Sequence, residues 1–167
     1  VEVVKRSLFK MINKAKILNI KIKNKNLRYK IAHDFSRLLI DKKILKISRR
    51  SKYLIFHFNE KILLVHFGMT GKLLIMRETD KAIFKTSFYY SSNIIGKHNH
   101  IYFYLDNGLV LIYNDVRRFG FLKIYNTTNL KKNFFFQKLG LEPFSKKFNF
   151  KYFKIFIKNK KKNIKNL

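Results

Sequence analysis

The chain has 167 residues, 47% of them hydrophobic, which is enough for one domain with a buried core and too few for two large ones. The 38 Lys and Arg residues against 9 Asp and Glu give a formal net charge of +29, which favours nucleic acid or an anionic membrane as partner, although an AT-rich genome also enriches Lys, Asn, Ile, Phe and Tyr. Cysteine is absent, no apolar run approaches the roughly 18 residues of a membrane helix, and no signal peptide is visible, so we expect an intracellular protein without disulfides or a Cys-type zinc site in this span.

The first third of the chain is predicted to combine two helices with short strands. Apolar residues recur at helical spacing through the first dozen residues, which predicts an amphipathic helix. Alternating apolar and polar residues then predict strands at Ile17–Lys25 and Leu27–Ile31. Asp34 is placed to cap a short helix at Phe35–Ile40, and strand character resumes after it.

A hairpin with a presented methionine is the central prediction. Two apolar runs, Tyr53–Phe58 and Ile62–Phe67, are separated by three polar residues, and Arg49, Arg50 and Lys52 supply cations at one end of the first run. The second run continues into Gly-Met-Thr-Gly, a tight turn that presents Met69 at a loop tip. This combination suits a protein that contacts a phosphate backbone and inserts an apolar wedge between stacked bases.

The rest of the chain is predicted to be mainly strands, with helices near the end. Strands are expected at Leu73–Met76, Ile83–Tyr90, Ile101–Leu105, Leu109–Tyr113 and Phe121–Tyr125. Helices are expected at Leu130–Leu139 and Phe148–Ile157, before a tail of Lys and Asn. The predicted fold class is mainly β with flanking helices (α+β), an antiparallel β-sandwich of about eight strands rather than an alternating α/β fold.

Two polar clusters interrupt these strands. Lys97–His100 places two histidines at i and i+2, on one face of an expected strand; they lack further metal ligands, so His98 is either a phosphate donor or an ordinary surface histidine. Arg117 and Arg118 would point to opposite sides of an extended chain, one toward a phosphate and the other toward a base edge, with Phe119 on the side of Arg117. The alternative is a solvated turn with one core aromatic. None of the nine acids forms a catalytic or metal-binding pattern.

Six segments, in the same order and spacing, resemble the N-terminal domain of the bacterial formamidopyrimidine-DNA glycosylases. Arg49–Leu54 is similar to the family's Arg-Arg-Gly-Lys-Tyr-Leu, His66–Gly71 to His-Leu-Gly-Met-Ser-Gly, and Asp115–Gly120 to Asp-Pro-Arg-Arg-Phe-Gly. The others are residues 1–8, Lys97–His100 and Leu139–Ser145. Together they cover essentially the whole chain.

The resemblance implies base-excision repair of DNA. The family flips oxidised purines such as 8-oxoguanine and formamidopyrimidines out of duplex DNA, removes them through a Schiff base and cleaves the strand as an abasic-site lyase. By analogy Met69 would fill the gap, Arg117 would hydrogen-bond the orphan cytosine and Phe119 would wedge the neighbouring base step. Lys52 would donate a proton in β-elimination, and the phosphate contacts would be His98, Arg118 and Lys161.

The sequence departs from the family at both ends. The family's nucleophile is an N-terminal proline followed by a proton-shuttling glutamate, and the match begins just after that opening; Glu2 belongs to the first helix and does not replace it. We therefore expect this chain to begin within a longer one and to be inactive alone. Residues 1–157 would form the domain and 158–167 a basic linker toward an absent helix–two-turn–helix and zinc-finger domain. We expect no cofactor in this span and one zinc in that missing part.

Two alternatives to a working glycosylase remain at this point. The first is a decayed, non-catalytic basic domain that binds duplex DNA. The second is a ribosomal or RNA-binding protein, which would not need the combination of Met69, Arg117 and Phe119. The sister endonuclease VIII group prefers oxidised pyrimidines and lacks this wedge pattern, so the resemblance favours oxidised purines as lesions. We expect a monomer that binds double-stranded DNA with oxidised bases in the bacterial cytoplasm, at the nucleoid, and no membrane.

Overall fold

The computed structural model describes residues 1–84, 86–87, 96–129, 134–137, 139–161 and 163. Within these ranges the helices are α1 (Glu2–Ile12), α2 (Phe35–Leu39), α3 (Phe134–Gln137) and α4 (Phe150–Ile157). The nine strands are β1 (Ile17–Ile22), β2 (Lys46–Arg50), β3 (Tyr53–His57), β4 (Lys61–His66), β5 (Gly71–Arg77), β6 (Ile83–Phe84), β7 (Asn99–Leu105), β8 (Leu109–Asp115) and β9 (Phe121–Asn126).

The strands form two antiparallel sheets that enclose one core. The first sheet has the order β1-β7-β8-β5-β6, and the second has the order β2-β3-β4-β9. Alternate side chains of both sheets meet between them, including Phe56 and Val65 from the second sheet and Phe103 and Tyr113 from the first. The predicted mainly-β sandwich with flanking helices is therefore confirmed, with nine strands among the described residues.

Helix α1 closes the core because one of its faces is apolar. Val4, Leu8 and Ile12 are buried at helical spacing, and α1 packs against β2. Glu2 lies in the first turn and Lys10 in the last, which matches the polarity of the helix dipole. Among the described residues, no helix is long and apolar enough to cross a membrane.

Several predicted elements differ from the structure. Leu27–Ile31 is a loop rather than a strand, because the amides of Leu27 and Ile31 both donate to the carbonyl of Lys25 in local turns. Asp34 precedes α2 but makes no side-chain capping bond. In the strand predicted from Ile83 to Tyr90, Ile83–Phe84 is a strand and residues 86–87 form a bend, while residues 85 and 88–90 lie outside the described ranges. Residues 130–133 and 138 of the predicted helix around α3 also lie outside them.

Candidate nucleic-acid interface

The loop between β4 and β5 presents Met69 to solvent. In this methionine loop, residues 67–70, the amide of Gly71 closes a turn by donating to the carbonyl of Phe67 at 2.8 Å. Gly68 has φ +59°, and a β-carbon there would lie 2.6 Å from the backbone carbon of Phe119. Only glycine fits this contact, because the conformation is left-handed and the neighbouring atoms are backbone. Met69 is 71% exposed, as its predicted position at a loop tip requires.

The arginine loop, residues 116–120 between β8 and β9, completes the exposed cluster. Nη1 of Arg117 lies 3.2 Å from the sulfur of Met69, and Cζ of Arg117 lies 4.6 Å from the ring centroid of Phe119. Phe119 is 46% exposed. Its predicted place beside Arg117 is confirmed, although Arg118 between them has φ +57° and the chain there is not extended. We call Met69, Arg117 and Phe119 the wedge.

A buried carboxylate joins the two loops. Asp115, at the end of β8, is fully buried. Its Oδ1 accepts from the hydroxyl of Thr70 at 2.5 Å, and its Oδ2 accepts from the amide of Gly120 at 2.8 Å and the hydroxyl of Tyr113 at 3.2 Å. The hydroxyl oxygen of Thr70 in turn accepts from the amide of Arg117 at 3.0 Å. These donors compensate the loss of water around the carboxylate.

A positively charged groove of about 870 Å³ runs beside the wedge. Besides the two loops it is lined by Arg28, Lys52 and His66, and Arg118 is exposed at its arginine-loop side. Burial lowers the pKa of His66 below its usual 6.5, and the charges of Lys52 and Arg28 add to this effect. No acid occurs among the lining residues within the described part of the chain. Such a groove attracts anions.

A second groove, of about 950 Å³, lies on the other side of Lys52. Its lining consists of the N-terminal end of α1, residues 49–52 and the segment 139–144. Lys52 is exposed and borders both grooves. The predicted proton donor is therefore the side chain that separates the wedge side from the α1 side.

The two arginines that precede Lys52, Arg49 and Arg50, are paired with carboxylates of the protein. Glu142 accepts from Nη2 of Arg49 at 2.8 Å and from Nη1 of Arg50 at 2.9 Å, and Glu2 accepts from Nε of Arg49 at 3.0 Å. Glu142 also accepts from the amide of Ser51 at 2.6 Å, which holds that residue at φ +51°. The sequence-based interpretation of these two arginines as backbone-gripping cations is therefore wrong, because their guanidinium groups are paired within the protein.

The remaining predicted phosphate contacts, His98 and Lys161, are not among the residues that line the groove beside the wedge. His98 is half-buried in a 3₁₀ turn, whereas His100 is buried in β7 with its Nε2 at 2.7 Å from the carbonyl oxygen of Asp115. The two histidines do not share a strand face as predicted, because the strand begins only at Asn99. Lys161 is exposed beyond α4.

Sequence reasoning missed four residues that shape the site. Arg28 is in the loop mistaken for a strand, and Glu2 and Glu142 pair with arginines that are distant in sequence. His66 opens the segment His66–Gly71, so its position next to the methionine loop was a usable signal. Within the described residues, no group of three His, Cys, Asp or Glu side chains is placed to hold a metal ion.

Comparison with known proteins gives a consistent set of relatives. Residues 1–122 match the family described as Formamidopyrimidine-DNA glycosylase N-terminal domain. The formamidopyrimidine-DNA glycosylase of Bartonella tribocorum is 41% identical over 172 residues, covering 99% of this chain and 57% of the relative. That of Rickettsia bellii is 37% identical over 168 residues, covering 100% of this chain and 56% of the relative.

Solved structures show the same likeness. Lactococcus lactis Fpg in complex with DNA containing an abasic site superposes with a TM-score of 0.79 at 29% identity, covering 99% of this chain and 57% of that one. Its complex with DNA containing FAPY-dG gives the same TM-score, identity and coverage. The chain thus spans little more than half the length of the relatives it matches.

Proposed function

Because the chain belongs to the formamidopyrimidine-DNA glycosylase family, we propose that it provides the N-terminal domain of a DNA base-excision repair enzyme. Such an enzyme removes oxidised purines from duplex DNA by base flipping and Schiff-base chemistry and then cleaves the strand. The observation that carries the proposal is the wedge: the thioether of Met69 and, from a loop distant in sequence, the guanidinium of Arg117 and the ring of Phe119 form one exposed cluster. The related Fpg of Lactococcus lactis was solved in complex with DNA containing an abasic site and with DNA containing FAPY-dG.

Each member of the wedge has a chemical property that a gap in a duplex requires. The flexible side chain of Met69 fills the space left by the extruded base. Arg117 offers planar, always-charged donors to the orphan cytosine, and its contacts with Met69 and Phe119 limit its freedom. The ring of Phe119 stacks against the neighbouring base step and keeps it open.

The groove beside the wedge carries the phosphate backbone in this proposal. Arg28, Lys52 and Arg118 supply positive charge without an acid in the lining of the described residues. Lys52 reaches the second groove as well, so it lies between the backbone and the extruded nucleotide and donates the proton for β-elimination. His98 and Lys161 add phosphate contacts farther from the lesion. The protein acts as a monomer on double-stranded DNA in the bacterial cytoplasm.

A second candidate function is DNA binding without catalysis. The wedge and the groove beside it consist entirely of described residues and supply an element for insertion and positive charge for the phosphate backbone. Borohydride trapping with lesion DNA distinguishes the two candidates when it is done with the protein as the organism makes it. A covalent adduct supports the glycosylase, and binding to the lesion DNA without an adduct supports the non-catalytic domain.

The wedge is tested by binding of this chain to duplexes that carry a stable abasic analogue opposite each of the four bases. Arg117→Ala should lower the preference for cytosine by about 1–3 kcal/mol, because a bidentate contact to a base edge is lost. Arg37→Ala is the matched control, since Arg37 is exposed on α2 and lines a cavity with the β3–β4 turn, at the far end of those strands. An unchanged base preference in Arg117→Ala would remove Arg117 from the orphan-base site.

A further inference from the structure

We propose that Thr70 and Asp115 form a positioning link that sets the distance between the methionine loop and the arginine loop, and thereby the selectivity of the wedge for the orphan base. The inference rests on the proposed function and adds two residues that do not themselves touch DNA in it. The wedge side chains meet only at their exposed ends, through a sulfur contact and a ring contact. The link lies beneath them.

The link joins the loops through one hydroxyl. The hydroxyl of Thr70 donates to Oδ1 of Asp115 at 2.5 Å, and its oxygen accepts from the amide of Arg117 at 3.0 Å. A threonine directly after Met69 is thus bonded to the backbone of Arg117. This arrangement uses the hydroxyl as donor and acceptor at the same time, so a side chain without a hydroxyl loses both bonds.

The link also holds an unfavourable backbone conformation. Arg118 has φ +57°, which a residue with a β-carbon adopts only when its surroundings impose it. The amide of Arg117 is bonded on one side of Arg118, and the amide of Gly120 donates to Oδ2 of Asp115 at 2.8 Å on the other. The amide of Gly120 bonds directly to the carboxylate of Asp115, and the amide of Arg117 is connected to the same carboxylate through the hydroxyl of Thr70. The left-handed turn at Arg118 brings Phe119 back under Arg117.

The root of the link is fixed in the first sheet. Asp115 is the last residue of β8, and Tyr113 of the same strand donates to its Oδ2 at 3.2 Å. The backbone carbonyl of Asp115 meets Nε2 of His100 at 2.7 Å in the neighbouring strand β7. The carboxylate therefore cannot move without disturbing buried side chains of two strands. A fixed support of this kind is what a recognition site needs when small displacements weaken its contacts.

The test removes the hydroxyl and leaves the shape. Thr70→Val should reduce the preference of this chain for cytosine over adenine opposite an abasic analogue by about fivefold, as expected for the loss of about 1 kcal/mol of hydrogen bonding. Thr70→Ser keeps the hydroxyl and should retain the preference. Thr86→Val is the matched control, because the buried hydroxyl of Thr86 donates to the carbonyl of Leu73 in β5 and not to a group of either loop.

Amide hydrogen exchange of Arg117 gives a readout without DNA. The exchange rate should rise about fivefold in Thr70→Val and stay near the wild-type value in Thr70→Ser and Thr86→Val. Unchanged exchange in Thr70→Val overturns the link even if DNA binding is normal. Faster exchange with unchanged base preference shows that the link is structural only and overturns its role in selectivity. If the wild-type protein, as the organism makes it, shows no preference for the duplex with the abasic analogue, the proposed function is refuted and the selectivity role fails with it.

Discussion

Two arginine pairs, Arg49–Arg50 and Arg117–Arg118, are held by carboxylates in opposite ways. In the first pair Glu2 and Glu142 accept directly from the guanidinium groups. In the second, Asp115 accepts from a hydroxyl and from backbone, and no ion pair to either guanidinium occurs among the described residues. The two pairs are identical as dipeptides, so the position of the acids decides which pair is bonded to carboxylates through its guanidinium groups.

The difference separates stability from recognition. An arginine bonded to a carboxylate within the protein has already satisfied the donors that a phosphate would use. An arginine whose backbone is fixed while its side chain faces solvent loses little of its binding capacity and gains a defined position. We call Arg49, Arg50, Glu2 and Glu142 the first region, and the methionine and arginine loops with Asp115 the second region. Substitutions in the first region should act on folding, and substitutions in the second should act mainly on DNA selectivity.

The largest expected effect comes from closing the space between the two loops of the second region. Gly68→Ala should destabilise the fold by about 3 kcal/mol, because the left-handed conformation costs about 1–2 kcal/mol and the overlap with the backbone of Phe119 adds a similar amount. Denaturant unfolding measures the free energy of unfolding, and binding to a duplex with an abasic analogue should weaken in parallel.

Gly108→Ala is the matched control for Gly68→Ala. Gly108 also has a left-handed φ of +73°, but a β-carbon there would meet nothing within 4 Å. Gly108→Ala should therefore lower the free energy of unfolding by only the conformational cost of about 1–2 kcal/mol. Binding to a duplex with an abasic analogue should not change. Equal destabilisation by the two substitutions would contradict the close packing of the methionine loop on the arginine loop.

The next effect tests the first region. Glu142→Ala should lower the free energy of unfolding by about 2 kcal/mol, since two partly buried guanidinium groups and the amide of Ser51 lose their acceptor. The preference for cytosine opposite a gap should be unchanged. Glu78→Ala serves as the control, because Glu78 is exposed and makes no side-chain ion pair in the described part of the chain. A lost base preference in Glu142→Ala with unchanged stability would reverse the division between the regions.

The sequence predicted the second region better than the first for a physical reason. Met69 follows the strand of a short hairpin and lies between two glycines, and Arg117, Arg118 and Phe119 are consecutive. Local pattern indicated the loop tip at Met69 and the cluster Arg117–Phe119, the resemblance to the family grouped them as a wedge, and the fold shows that the two loops are in contact. The bonds of Glu142 to Arg49 and Arg50 span more than 90 residues, which no local pattern reveals.

Elements outside the site follow the same rule. Most strands were predicted from short apolar runs, rich in β-branched and aromatic residues, between turn residues, because strands such as β3, β4 and β8 are buried at nearly every position. The segment Leu27–Ile31 alternates between apolar and polar residues, but it is a loop. Its residues Leu27 and Ile31 are buried although the segment has local turn bonds in place of a strand ladder. The left-handed conformation of Ser51 was not predictable, because it depends on the bond from its amide to distant Glu142.

The smallest expected effect is the response of the first region to acid. The hydrogen bond from Lys5, with those from Arg6 and Arg49, outweighs partial desolvation and lowers the pKa of Glu2 from 4.5 to about 2. The carboxylate thus binds its proton more weakly in the folded chain than in the unfolded one. Its contribution to stability is complete above about pH 4.5 and is lost as the pH falls toward about 2.

The effect of Glu2 should be smaller than that of Glu142→Ala because the side chain of Glu2 is 38% exposed and water and salt screen its ion pairs. Glu2→Gln should flatten the decline of unfolding free energy between about pH 4.5 and pH 2 relative to wild type, as measured by urea unfolding at each pH. Thr70→Val leaves every first-region carboxylate in place, so its decline should run parallel to that of wild type. If Glu2→Gln loses stability with acid as steeply as wild type, the pairing of Glu2 with Arg49 does not contribute to folding, and the first region depends on Glu142 alone.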